Sequence, residues 1–232
     1  MVLHGVANDN WIVYDMNYLK KIFNYVKFVF LILAWMTPIL PVIANSIKED
    51  NIHVKTWNKF ATDLYEYHKQ QIKGKTITIK SKKGGYATNK EFYLEKEYYD
   101  TNNKLLSRLS WEVAKPDNLH VIEIFIYNKK NQLVRDYTAA YLPLYRNAPV
   151  QTLISFHQYN KDLHAFRSFD ASGDRVLERC EGIYDRKEIS FLLDEDDLYA
   201  LLGDNNGLMY STDYKLCFDG LQEDLGQYLK PQ

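Results

Sequence analysis

The chain has 232 residues, a formal net charge of −1 and nineteen tyrosines, with aromatic residues making up 15% of it. This balance excludes a nucleic-acid binder, since no basic stripe runs through the sequence. The one basic cluster, Lys73, Lys75, Lys80, Lys82 and Lys83, is explained by a solvated strand edge.

Residues 16–44 have the three-part layout of a secretory signal peptide. Lys20, Lys21 and Lys27 lead into the uncharged run Phe28–Ala44, and polarity returns at Asn45. A spanning helix needs about 20 apolar residues; this run is shorter, and Pro38 and Pro41 would break its last turns. The expectation is cleavage after Ala44 and export to the periplasm or beyond, the alternative being an anchor formed by an uncleaved N-terminal helix. Residues 1–15, which carry Asp9 and Asp15 ahead of the basic segment, read as a mis-assigned start before Met16 or as an extension. No cysteine follows the apolar run to accept a lipid. Residues 45–232 then form one mainly-β domain, long enough to bury a core without staples.

The first predicted element is an amphipathic helix over 54–72, because Trp57, Phe60, Ala61, Leu64 and His68 share one stripe and Gly74 stops it. Strands follow at 75–80 and 91–99 around a Lys83-Gly84-Gly85 turn, then at 105–113, 120–127, 132–141, 150–158, 163–169 and 175–180. Pro116 and Pro143 fall between runs. The tail, 188–232, reads as short α/β structure: a strand at 188–193, a helix over 194–202 with acids in its first turn, a last strand at 213–218, and a loose polar end from Gln222.

Three turns share one design. "YYDTNNKLL" (98–106), "IYNKKNQLV" (126–134) and "SFDASGDRV" (168–176) each set an aromatic before Asp or Asn, with Asn103, Asn131 or Gly173 three positions later. The Asp or Asn side chain bonds backbone two residues on and starts a type I turn. The closing residue must take φ > 0, which Gly and Asn tolerate. These hairpins resemble those of MORN-like and YD-type repeat proteins over three short stretches. Their spacing, 28 residues from Tyr99 to Tyr127 and 42 from Tyr127 to Phe169, departs from a regular array. The predicted class is therefore α+β and mainly antiparallel β: a curled meander or half-open barrel packed against one N-terminal helix. In predicted shape this is similar to the lipoprotein-carrier architecture, which says nothing of function.

Cys180 and Cys217 are a disulfide pair if the chain is exported. His157 and His164 bracket "QYNKDL"; a two-residue Asn160-Lys161 loop would set them directly opposite, a starting point for a zinc or copper site that still needs a third ligand. The loop "AAYLPLYRNAP" (139–149) holds Tyr141, Tyr145 and Arg146, residue types favoured at interfaces. Glu95 and Glu97 share a strand face, while Glu123, Asp136, Asp162, Glu178 and Glu181 read as scattered, mostly solvated carboxylates. "GDNNG" (203–207) reads as a plain turn, lacking the alternating acids of a calcium loop. The motifs of nucleotide binding, of the nucleophile elbow and of helical zinc sites are absent from the sequence. The expectation is an exported, non-catalytic protein with no cofactor, binding an apolar small molecule or an envelope protein through an aromatic-rich sheet, and touching membrane only through its leader. The alternatives are a metal-dependent or hydrolytic enzyme using His157 and His164, and a structural adaptor of an envelope assembly.

Overall fold

The computed structural model describes residues 51–143, 147–203 and 207–232. The expected leader and the extension before it lie outside the described residues, as do residues 204–206 of the "GDNNG" turn.

Helix α1 runs Ile52–Ile72. Asn51 caps it, its side chain accepting the His53 N–H at 2.8 Å. The predicted stripe is the buried one: Phe60, Ala61, Leu64 and His68 are buried together with Val54. Removing a side chain such as Phe60 or Leu64 from water stabilises by about 1.5–3 kcal/mol each. Past the end of the helix, Gly74 takes a φ of 70°.

Nine strands follow: β1 Thr78–Tyr86, β2 Asn89–Tyr99, β3 Leu105–Glu112, β4 Lys115–Tyr127, β5 Leu133–Ala140, β6 Gln151–Asn160, β7 Leu163–Phe169, β8 Arg175–Tyr184 and β9 Lys187–Asp194. They form one antiparallel sheet in sequence order. The sheet is open, with β1 and β9 as its edges. All three aromatic–Asp/Asn hairpins form as expected. Asp100, Asn128 and Asp170 each accept the N–H two residues on, at 2.8–2.9 Å. Asn103, Asn131 and Gly173 close the turns at φ 58°, 61° and 99°.

Two elements differ in kind from the expectation, and Pro116, expected between strands, is the second residue of β4. Gly84 and Gly85 lie inside β1, and the chain reverses beyond Tyr86, which pairs with Asn89. The glycines are needed for closeness instead: a Cβ on Gly84 would meet the Tyr93 hydroxyl at 2.5 Å, and one on Gly85 the Asn89 carbonyl at 2.0 Å. The second is 213–218, read as a strand. It is helix α3, Thr212–Phe218, capped by Ser211, whose hydroxyl accepts the Tyr214 N–H at 3.2 Å. Its buried residues, Tyr214, Cys217 and Phe218, follow helical spacing, a pattern too short to distinguish from strand by sequence. Helix α2, Glu195–Gly203, lies between β9 and α3.

The sheet has a covered and an open face. On the covered face, Tyr137 meets Phe60 of α1 (ring centroids 6.3 Å apart), and Phe191 meets Tyr214 and Phe218 of α3. Leu109, Ile122, Ile124, Ile154 and Phe169 fill the same side and are almost wholly buried. Cys180 of β8 and Cys217 of α3 form the expected disulfide, with Cα atoms 5.9 Å apart. The segment from Gln222, expected to be loose, is instead docked on the sheet. Leu225 is buried, a 3-10 turn spans Gly226–Leu229, and Tyr228 packs edge-on against Phe156 at 5.4 Å.

Candidate functional site

The open face carries a ladder of charges, assembled by pleat and register. Side chains alternate across each strand, so the pairing Lys80–Glu97–Arg108–Glu123 puts opposite charges side by side on β1 to β4. Lys82 Nζ is 2.9 Å from Glu95 Oε1. Arg108 lies within 3.0–3.5 Å of Glu95, Glu97 and Glu123, acting as hub for three carboxylates. Glu95 and Glu97, predicted to share a face, do so by sharing Lys82 and Arg108.

The ladder continues as Asp136 on β5, His157 on β6 and His164 on β7. Asp136 Oδ2 is 2.5 Å from His157 Nε2, and His157 Nδ1 is 3.0 Å from His164 Nε2. The β6–β7 turn is one residue later than Asn160-Lys161: Asn160 pairs with Leu163, so His164 faces Tyr159 and His157 faces Phe166. Relative to the expected pairing this shifts the register by two. That keeps both imidazoles on one face as diagonal neighbours. The His157 side chain is 7% exposed.

Tyrosines stand along the hairpin end of this face. The Tyr99 hydroxyl donates to Glu97 at 2.8 Å, and the Tyr159 ring stacks on His164 at 4.7 Å. Between them, Tyr127 is close enough to Tyr159, Tyr99 and Asp136 for their charges to add to the effect of burial in raising its pKa. Tyr99 and Tyr127 end β2 and β4, and Tyr159 is the last residue but one of β6, so they mark every second strand, roughly 10 Å apart.

The electrostatics follow from this packing. Burial raises the Glu123 carboxyl although Arg108 pulls it down. The hydrogen bond from Tyr99 is the main cause lowering Glu97, and the hydrogen bond to Glu95 is the main cause raising Lys82. Burial lowers His164, and the charge of His157 lowers it further. No three His, Cys, Asp or Glu side chains among the described residues are placed to hold a metal ion. The reason at the histidines is geometric: Asp136 and His164 meet different nitrogens of His157, which point to opposite sides of the ring.

The other predicted site residues are placed differently. Tyr141 is half-buried against the core, its N–H on the His120 carbonyl at 2.8 Å and its phenol pKa raised by burial. Tyr145 and Arg146 lie outside the described residues. Glu178, read as a solvated carboxylate, is fully buried. It accepts from Arg167 Nε and, at 2.6 Å, from the Tyr214 hydroxyl. Arg167 in turn donates to the Gln222 carbonyl at 2.9 Å and to Glu223 at 3.0 Å. This network ties the C-terminal segment to the sheet from the covered side, and no single strand of sequence reveals it. Of the open-face ladder, sequence reasoning found His157, His164, Glu95 and Glu97 but missed Arg108 as hub and Asp136 as partner. The alternation of Arg108 and Ser110 with Leu109, and of Glu123 with Ile122 and Ile124, was the available signal.

Comparison with known protein families, curated proteins and solved structures finds no match to this chain.

Proposed function

We propose that this is an exported, non-catalytic binding protein that meets a partner protein of the envelope through the open face of its sheet. The observation that carries this reading is the ladder from Lys82 to His164, edged by Tyr99, Tyr127 and Tyr159. Tyrosine and arginine are the residue types that dominate interface energetics. Charges already paired within one protein avoid the cost of burying an unpaired ion when a partner covers them. The Cys180–Cys217 bond accords with an oxidising compartment. No helix among the described residues is long and apolar enough to cross a membrane, a statement that does not bear on strands. Cleavage after Ala44, a periplasmic or secreted destination and a curled or half-barrel sheet belong to the same proposal.

The test is a photo-crosslinking residue placed at Tyr127, and separately at exposed Lys55 on α1, in the cells that make the protein. The expected result is a discrete adduct from position 127 only, lost when Arg108→Glu is added. The same adducts from both positions, or none from position 127, would sink the proposal.

A second reading is a metal-dependent hydrolytic enzyme that uses His157 and His164, which share one face of the sheet as diagonal neighbours. Zinc or copper at one ion per purified chain would support it. A metal-free protein that keeps its fold would dispose of it.

A further inference from the structure

On the covered face, α1 does not extend over one corner of the sheet. It reaches β2 and β3 through His68, which lies against Tyr98 and hydrogen-bonds Ser107 at 2.8 Å, near the β2–β3 turn. Toward the opposite ends of those strands, Leu94 pairs with Lys83 on one side and with Trp111 on the other. A cleft of about 280 Å³ opens there, its walls Leu94, Trp111, Val113 and Pro116. That volume is at the small end of ligand sites, and the walls have the apolar character such sites share.

Two ammonium groups stand at this cleft, and they differ in one respect. Lys83 is held by Glu91 at 2.8 Å. Lys96 lies over the Trp111 ring, 5.5 Å from its centroid, and has no carboxylate within ion-pair distance among the described residues. Glu112 also borders the cleft, but it alternates with Trp111 along β3, so its carboxylate, which takes the Asn118 amide at 3.3 Å, belongs to the other face of the sheet and makes no ion pair with Lys96. An indole floor, aliphatic walls and one cation resting on the indole complement a small apolar molecule that carries one negative charge. A phosphate would call for several donors or a guanidinium fork, and the cleft offers neither.

We infer that this cleft is a binding site for a small apolar carboxylate, with the ring or chain laid on Trp111 and the carboxylate on Lys96. The inference stands apart from the partner reading, which concerns the other face of the sheet.

The probes are 2-naphthoate and its uncharged isostere 2-naphthamide, titrated into the purified protein while the Trp111 indole N–H resonance is followed. The expected result is a shift of that resonance, with naphthoate bound about tenfold more tightly than the amide, as a charge-assisted contact gives. Lys96→Glu should remove that preference and leave naphthamide binding unchanged. Lys96 is half-buried and makes no ion pair that the variant would break, so the variant should keep the wild-type unfolding midpoint; Lys96→Met provides a milder check. Equal affinity of the wild type for the two probes, no response at Trp111, or a preference for naphthoate that survives Lys96→Glu would each overturn the assignment.

Discussion

His157 Nδ1 lies 3.0 Å from His164 Nε2, with the two ring planes only 10° apart. Asp136 is an acceptor, so the His157 nitrogen facing it must carry the proton. In the neutral pair, His157 Nδ1 is then the acceptor and His164 Nε2 the donor. One carboxylate on β5 thus fixes the tautomer of an imidazole two strands away.

This relay predicts a pattern visible to nitrogen NMR. Wherever both rings are neutral they should be Nε2–H tautomers, and His164 should titrate below the ordinary value of 6.5, in the direction set by burial and by His157. Asp136→Asn should disturb the His157 tautomer, because an amide can donate as well as accept. Two rings that exchange freely between tautomers, unaffected by Asp136→Asn, would refute the relay.

His68 predicts a dependence of stability on pH. Its ring sits under α1 against Ser107, and burial lowers its pKa to about 4. A base with a lowered folded pKa is bound by protons first in the unfolded state. Its contribution is therefore intact above about pH 6.5 and declines as pH falls toward 4, by about 3 kcal/mol in all. Urea unfolding of wild type and His68→Gln at several pH values isolates this term from the carboxylates. The wild type should lose more stability than the variant between pH 6.5 and 4. Parallel losses would show that His68 is not held neutral.

Glu178→Gln should be far more damaging than any change at the exposed carboxylates. The residue is buried and bonded to Arg167 and Tyr214, so the variant leaves a buried guanidinium short of its partner, at a cost of about 3–5 kcal/mol. Tyr214→Phe removes one hydrogen bond to a charged acceptor and should cost about 1.5–3 kcal/mol. Thermal or urea melts of the two variants check the ranking. A Glu178→Gln protein as stable as wild type would mean that Glu223 alone can compensate Arg167.

The Cys180–Cys217 bond closes a loop of sequence separation 37, which in the chain-entropy model stabilises by about 4 kcal/mol. The double variant Cys180→Ala/Cys217→Ala should unfold at clearly lower urea. Local opening should be greatest in α3, which the bond pins to β8, and hydrogen exchange can report it. Uniform loss of protection across the sheet would instead place the bond in the global folding unit.

Much of the fold was legible along the chain. Each aromatic–Asp/Asn hairpin is written in four or five consecutive residues, because an Asx side chain and a left-handed Asn or Gly act locally. The α1 stripe is likewise a local pattern. The β8–β9 hairpin was harder to read: Asp185 and Arg186 both take φ > 0, at 48° and 69°, as a tight two-residue turn demands, and arginine does not advertise that role. At Gly84-Gly85 the signal misled, since glycine serves close packing as well as turning.

By itself, then, the sequence determined the three aromatic–Asp/Asn hairpins, the leading helix and the pairing of two cysteines, all set by local backbone preference or by there being one possible partner. Only the tertiary structure decided which charges meet. Arg108 gathers Glu95, Glu97 and Glu123 from two neighbouring strands, and Arg167 finds Glu223 fifty-six residues away. These contacts depend on strand register and on the docking of α3 and the C-terminal segment. A shift of one residue turns every side chain of a strand to the other face, so the ladder exists only once all the registers have been fixed together.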